Sequence, residues 1–181
     1  MGTRSMIAIQ NPYNKTVRAV YCHWDGYLEH NGAILAKHYA DSPKVNNLIA
    51  LGDLSSLGTQ IGEAHPFSPF VSDTEEFKAL PKAEQERIKE EIRVAHEAAK
   101  DAGYCTYYTR DRGEDAPFKV FNTLKEAEEY FEGSWCEYLY VYKYKTSDDY
   151  NTGEWHYKKM GERWKKLAPA IRKLNADECA G

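Results

Sequence analysis

What the chain lacks narrows its identity first. No apolar stretch approaches the roughly 18–20 residues of a membrane-spanning helix; runs such as Met6–Ile9 and Ala33–Ala36 are far shorter. The N-terminal residues Met1–Met6 contain no long apolar segment, so no secretory signal is expected. Cysteine is sparse: Cys22, Cys105, Cys136 and Cys179 lie far apart with no CxxC pair. That spacing argues against a disulfide framework and against structural zinc, and points to a reducing cytoplasm. There is no Walker loop, Rossmann glycine fingerprint, HExxH or GxSxG, so neither a cofactor nor a metal is expected. Positive charge is also in deficit. The 24 Lys and Arg against 28 Asp and Glu give a net charge of −4, which disfavours a protein that coats DNA.

What is present is a globular chain of 181 residues whose four Trp, six Phe and fourteen Tyr are too many for a disordered polymer. Charge is unevenly placed. Residues 155–181 carry a local +4 and the remainder −8, giving a basic tail that suits an acidic partner or a solvated helix face.

Hydrophobic patterning predicts strands over 4–9 and 16–24, joined as a hairpin through the turn residues Asn11–Lys15. A helix is expected over 30–39. A second starts at Asp41-Ser42-Pro43, with a cap followed by proline, and ends at Gly52. Residues 53–69 read as loop. Residues 74–101 read as a charged helix with a thin apolar stripe at Ile88, Ile92, Ala95 and Ala99. A strand is expected over 104–110, and a capped helix from Thr123 to about Gly133. A second hairpin joins 135–145 to 154–159, and a final helix over 162–175 carries Pro169 as a potential kink. The expected fold is a single α+β domain across 1–181. Its sheet is mostly antiparallel, built from two β-hairpins plus a central strand and packed with several helices, with 74–102 as a charged helical insertion.

Three constellations could carry chemistry. The segment Cys22–Tyr27, with Glu29, His30 and Asn31 beyond it, joins a strand end to a helix start. His23 and Asp25 are two apart and would share a strand face, as a general base and its orienter would; Asp25-Gly26 equally suits a turn and a helix cap. The segment Thr109–Asp115 packs Arg110 and Arg112 among Asp111, Glu114 and Asp115, which reads either as an anion clamp or as a salt-bridged loop. Arg4 would add a third cation if its strand neighbours that one. On the strand over 135–145, Tyr138, Tyr140, Tyr142 and Tyr144 share one face, and Leu139, Val141, Lys143 and Lys145 the other. Such a row can stack bases beside lysines, form an interface, or pack a core.

Several of these strings resemble one another's occurrence in a single family. Thr3-Arg4-Ser5, Tyr21-x-His-Trp-Asp-Gly-Tyr27, Asn31-Gly32, Leu51-Gly-Asp-Leu-Ser-Ser-Leu-Gly58, His65-Pro-Phe67 and Tyr107-Tyr-Thr-Arg-Asp-Arg-Gly-Glu114 are similar to a functionally unassigned family of small tailed-bacteriophage accessory proteins. The resemblance spans about residues 3–67 and 104–145. It implies a phage protein acting in the host cytoplasm. Such a protein would counter a host defence or regulatory system, by binding a host protein or by sequestering a small, nucleotide-like anion. It carries no catalytic residues across.

The sequence therefore leans towards a non-enzymatic binding protein. Its candidate ligand-binding residues are Arg4, His23, Asp25, Tyr27, Arg110, Asp111, Arg112 and Glu114. The alternative is a small nucleotide-directed hydrolase or transferase using His23, Asp25, Arg110 and Arg112. A third class is a nucleic-acid-binding regulator using Tyr140, Lys143, Lys145 and the basic tail. A homo-oligomer is expected, with Ile88, Ile92, Tyr140 and Tyr142 at its interface, because a lone polar helix of about 20 residues is marginal in water.

Overall fold

In a computed structural model describing residues 2–67, 74–146 and 148–181, the chain forms one eight-stranded mixed sheet with helices on both faces. β1 (Ser5–Gln10) and β2 (Val17–Cys22) are the first hairpin, pairing antiparallel from Ser5 opposite Cys22 to Gln10 opposite Val17. The turn between them is built by Asn11, whose Oδ1 accepts from the N–H groups of Tyr13 and Asn14. β6 (Tyr138–Tyr144) and β7 (Gly153–Lys159) are the second hairpin.

The two hairpins meet where the expected architecture needs correcting. β1 pairs with β6 in parallel, and β2 pairs in parallel with β3 (Leu54–Ser56). The sheet is mixed: the other pairings are antiparallel, as expected, but helical crossovers return the chain in the same direction on both sides of the first hairpin and make these two parallel. Among the described residues, no further strand lies between the two hairpins; β1 and β6 pair directly within the order β4-β3-β2-β1-β6-β7-β8. The strand expected over 104–110 is the two-residue β4 (Thr106–Tyr107), which runs straight into the helical turn α5 (Tyr108–Arg112). β5 (Lys119–Phe121) pairs with the first half of β2, and β8 (Lys165–Lys166) with β7. β3, β5 and β8 carry no period-two run long enough to announce them. Of the loop expected over 53–69, Pro69 lies outside the described residues, as does Ser147 in the turn expected over 146–153.

One face of the sheet is covered by α1 (Ala33–His38), α2 (Ser42–Ala50) and α7 (Leu167–Cys179). A π-helical turn, Leu28–Gly32, leads into α1. α2 begins as its sequence dictates: Asp41 accepts from the Lys44 N–H at 3.0 Å and Pro43 occupies the first turn. It ends at Gly52, whose φ of +88° suits glycine. Pro169 sits in the first turn of α7, where no intrahelical N–H is required, so it starts the helix instead of kinking it.

The core beneath these helices is rich in tyrosine. Tyr138, Tyr140 and Tyr142 of β6 lie on this face and Leu139 and Val141 on the other, as period two requires. Each deeply buried hydroxyl finds a carbonyl: Tyr140 donates to Gly26 at 2.8 Å, Tyr142 to Ala40 at 3.0 Å, Tyr39 to Gly58 at 2.8 Å and Tyr107 to Leu48 at 2.8 Å. The rings supply apolar area while the hydroxyls fix the loops above the sheet. Tyr140 and Tyr142 have no exposed surface, so neither forms an interface nor stacks bases; both expectations are corrected by their place on an interior strand. Lys143 is half-buried, with its ammonium 5.3 Å from the Trp164 ring, and desolvation lowers its pKa.

The other face carries α6 (Leu124–Glu132), which buries Ala127 and Phe131 against Met6, Ala8, Ala19, Leu139 and Val141. Thr123 caps it by accepting from the Glu126 N–H at 3.2 Å. The Glu126 carboxylate reaches back one residue further than a capping box predicts, to the Asn122 N–H at 2.9 Å. Residues 75–101 form α3 (Glu75–Lys78) and α4 (Lys82–Asp101), separated at Pro81. Along α4, Ile88, Ile92 and Ala95 are half-buried and Ala99 is buried, while Arg87, Arg93 and their glutamates form exposed i,i+3 and i,i+4 pairs. Among the described residues, no helix is long and apolar enough to cross a membrane.

Candidate functional site

The two polar clusters read from the sequence have different fates. In α5, Arg110 uses all five of its N–H donors on the protein. Nε and Nη2 grip the Asp111 carboxylate at 2.8 and 3.0 Å, Nη2 also meets the Cys105 carbonyl at 2.8 Å, and Nη1 holds the carbonyls of Ile61 and Gly62 at 3.1 and 3.0 Å. Its guanidinium also lies over the Tyr107 ring. Asp111, whose side chain is fully buried, accepts further from the N–H groups of Tyr107 at 2.7 Å and His65 at 3.1 Å. This pair stitches β4, α5 and the 61–65 loop together. Neither residue has capacity left for a ligand, which corrects their place in an anion clamp.

Arg112, two residues on, faces elsewhere. It pairs with Glu114 at 2.8 Å, and its guanidinium lies 5.4 Å from the Tyr108 ring centre and 5.2 Å from that of Phe67. Its charge is felt at His23. The expected gathering of Arg110 and Arg112 is not found, because the Arg110 guanidinium is spent on Asp111 and carbonyls while Arg112 pairs with Glu114.

His23 follows β2, with its N–H bonded to the Leu54 carbonyl. Its Nδ1 lies 2.7 Å from the Tyr21 hydroxyl, which accepts from Arg4 Nε at 3.1 Å. Tyr21 and His23 share a face because they are two apart on an extended chain. Burial lowers the His23 pKa, and the charges of Arg4 and Arg112 lower it further. Asp25 does not join this chain. Its φ of +55° turns the backbone, and it lines a separate groove of about 460 Å³ with Trp24, His30, Ser56 and Lys100. The turn is packed so closely that a Cβ on Gly26 would meet the Arg4 carbonyl carbon at 2.8 Å. Because the chain reverses there, His23 and Asp25 do not form a base and its orienter; Tyr21 is the group on the His23 ring. Tyr27 is exposed, its ring centre 6.1 Å from that of His30.

Arg4 opens onto the larger cavity, a cleft of about 870 Å³ between the sheet and the C-terminal end of α6. Met6 and Ala19 form its floor, and the short Ala19 side chain leaves the space. Its lining includes Arg4, Tyr21, Asp53 and Lys119, together with Tyr130, Trp135 and Cys136. Asp53 accepts from the Tyr21 N–H at 2.8 Å, and burial raises its pKa against the opposing pull of that bond and of Lys119. Among the described residues, Arg4 makes its single side-chain hydrogen bond through Nε, so Nη1 and Nη2 have no protein acceptor. Trp135 is 87% exposed and Tyr130 45%. Three of the four cysteines are buried, and burial pushes the Cys22 thiol up to about 12 and raises Cys105 and Cys136 as well.

Sequence reasoning placed Arg4 and His23 but missed Asp53, Lys119, Tyr130 and Trp135. Lys119 belongs to an unrecognised strand. Asp53 lies in what reads as loop. Trp135 was expected to open the strand over 135–145, but β6 starts only at Tyr138 and leaves Trp135 exposed in the bend before it. Among the described residues, no group of three His, Cys, Asp or Glu side chains is placed to hold a metal ion. No family model, curated protein or solved structure matches the chain.

Proposed function

We propose that this chain is a binding protein that holds a small anionic ligand in the α6 cleft, with Arg4 as the anion anchor. The observation that carries the reading is the state of the Arg4 guanidinium. It is held in place through Nε by Tyr21, its two terminal nitrogens have no protein acceptor among the described residues, and the residue lines a cleft of ligand size. Lys119 adds a second positive charge to the lining of the same cleft. Holding is favoured over turnover because the buried thiols stay protonated at neutral pH and His23 has Tyr21, not a carboxylate, on its ring. The biological setting we attach to this reading is that of a phage accessory protein which withdraws such an anion from a host defence or regulatory system.

Calorimetric titration with pyrophosphate and with ribose 5-phosphate tests the reading. Binding to the wild-type protein, weakened about 10- to 100-fold by Arg4→Ala, is expected, because a hydrogen-bonded charge is worth about 1.5–3 kcal/mol. Equal binding by the Arg4→Ala variant overturns the anchor. Cleavage of the recovered ligand, lost in His23→Ala, overturns the non-enzymatic reading.

A further inference from the structure

Trp135 is the most exposed large apolar side chain described in this protein. A tryptophan withdraws on the order of 150–250 Å² from water when covered. Trp135 lines the same cleft as Arg4 and the half-exposed Tyr130. Tyr130 is itself braced by the Phe121 ring at 5.3 Å and by the Lys119 ammonium at 5.8 Å. The cleft thus sets three chemistries within one space: two exposed aromatic side chains, two cations and the Asp53 carboxyl.

Each of these selects one part of a ligand. The aromatic side chains take a planar ring, since base–aromatic stacking tolerates any base. Arg4 and Lys119 take a phosphate, with guanidinium geometry matching two phosphate oxygens. The Asp53 carboxylate accepts from a ring or exocyclic N–H, the complement that nucleobases offer and sugar phosphates lack. We infer that the ligand of the cleft is a mononucleotide, its base laid on Trp135 and Tyr130 and its phosphate held by Arg4 and Lys119. This rests on the anion-binding reading above and adds the identity of the uncharged half of the ligand.

The test compares AMP, GMP, CMP and UMP with ribose 5-phosphate and pyrophosphate by calorimetry at one ionic strength. At least one nucleotide is expected to bind 10-fold or more tightly than ribose 5-phosphate. Trp135→Ala should weaken that nucleotide about 5- to 100-fold and leave ribose 5-phosphate unchanged, whereas Trp135→Phe should retain most of the affinity. Asp53→Asn should change the ranking among the four bases, because it converts an acceptor into a mixed donor and acceptor. The exposed position of Trp135 means its variants fold, and an unchanged thermal midpoint checks this. Nucleotides and ribose 5-phosphate binding equally, or a Trp135→Ala variant with undiminished nucleotide affinity, overturns the nucleotide assignment while leaving the anion site standing. Absence of binding by every phosphate probe overturns both.

Discussion

Arg4 and Arg110 are both cations that the sequence places beside the end of a strand, and both read as members of one anion clamp. Their guanidinium groups do opposite things. Arg110 is 14% exposed, rests on Tyr107 and gives every N–H to a carboxylate or a carbonyl of the protein. Arg4 gives one N–H to Tyr21, leaves the others without a protein acceptor among the described residues, and lines a cleft. The first arrangement satisfies three backbone carbonyls and a buried carboxylate that would otherwise be costly, so it is architecture. The second leaves donor capacity unused beside a cavity of about 870 Å³, and the proposed anion site rests on that difference. Density of charge in a sequence does not distinguish the two; the fate of each donor does.

The sharpest way to break this contrast is Arg110→Met. It strips the buried Asp111 of its counter-charge and orphans the carbonyls of Cys105, Ile61 and Gly62. Losing one partner of a buried ion pair costs about 3–5 kcal/mol. At roughly 2–4 °C per kcal/mol for a chain of this size, the midpoint in calorimetry should fall by about 6–20 °C. Arg110→Lys should recover little, because a point charge cannot reproduce five donors in a fork. A fall under about 3 °C for Arg110→Met would show that the pair is not the clasp described.

The tyrosines repeat the contrast at lower energy. Tyr140→Phe removes the donor to the buried Gly26 carbonyl and should cost about 0.5–1.5 kcal/mol, read as a shift in the denaturation midpoint at constant m-value. Arg4→Ala should alter stability by less still, within about 0.5 kcal/mol, while the phosphate affinity collapses. Equal destabilisation by Arg4→Ala and Arg110→Met would erase the distinction between an anchor and a clasp.

How much of this was legible in the sequence follows from range. The hairpins, the α2 cap and stop, the α6 cap and the face assignment of the β6 tyrosines are set by neighbours within a few residues, and they are where the patterns place them. The parallel pairing of β1 with β6 joins residues more than a hundred positions apart, and no local pattern encodes it. The same holds for the site. Arg4, Tyr21, Asp53, Lys119 and Trp135 come from five separate segments. His23 and Asp25 looked like a pair because alternation presumes a continuing strand, whereas β2 ends at Cys22 and the backbone turns at Asp25 with a positive φ. Arg110 looked available because sequence shows its charge and not the carbonyls of a distant loop.

The smallest expected effect tests the link between the two regions through His23, which feels Arg4 from one side and Arg112 from the other. Burial and these two cations hold its folded pKa below the ordinary value of 6.5. The unfolded chain then binds more protons near and below that value, so stability rises with pH there. The contribution is fully present above about 6.5, is lost as pH falls towards the folded pKa, and changes no further below it. His96 and His156, also lowered by burial, add slopes of the same sign, so the informative quantity is the wild type minus His23→Gln. That difference should fall as pH drops from 7.5 to 5.5. Arg4→Gln should raise the His23 pKa, followed by its ring resonances in an NMR titration, because it removes a nearby positive charge. A bound phosphate that neutralises Arg4 should do the same, so ligand binding near pH 6 should take up protons and strengthen as pH falls. A His23 pKa indifferent to Arg4→Gln and to pyrophosphate would mean that the Tyr21 hydroxyl does not couple the ring to the cleft.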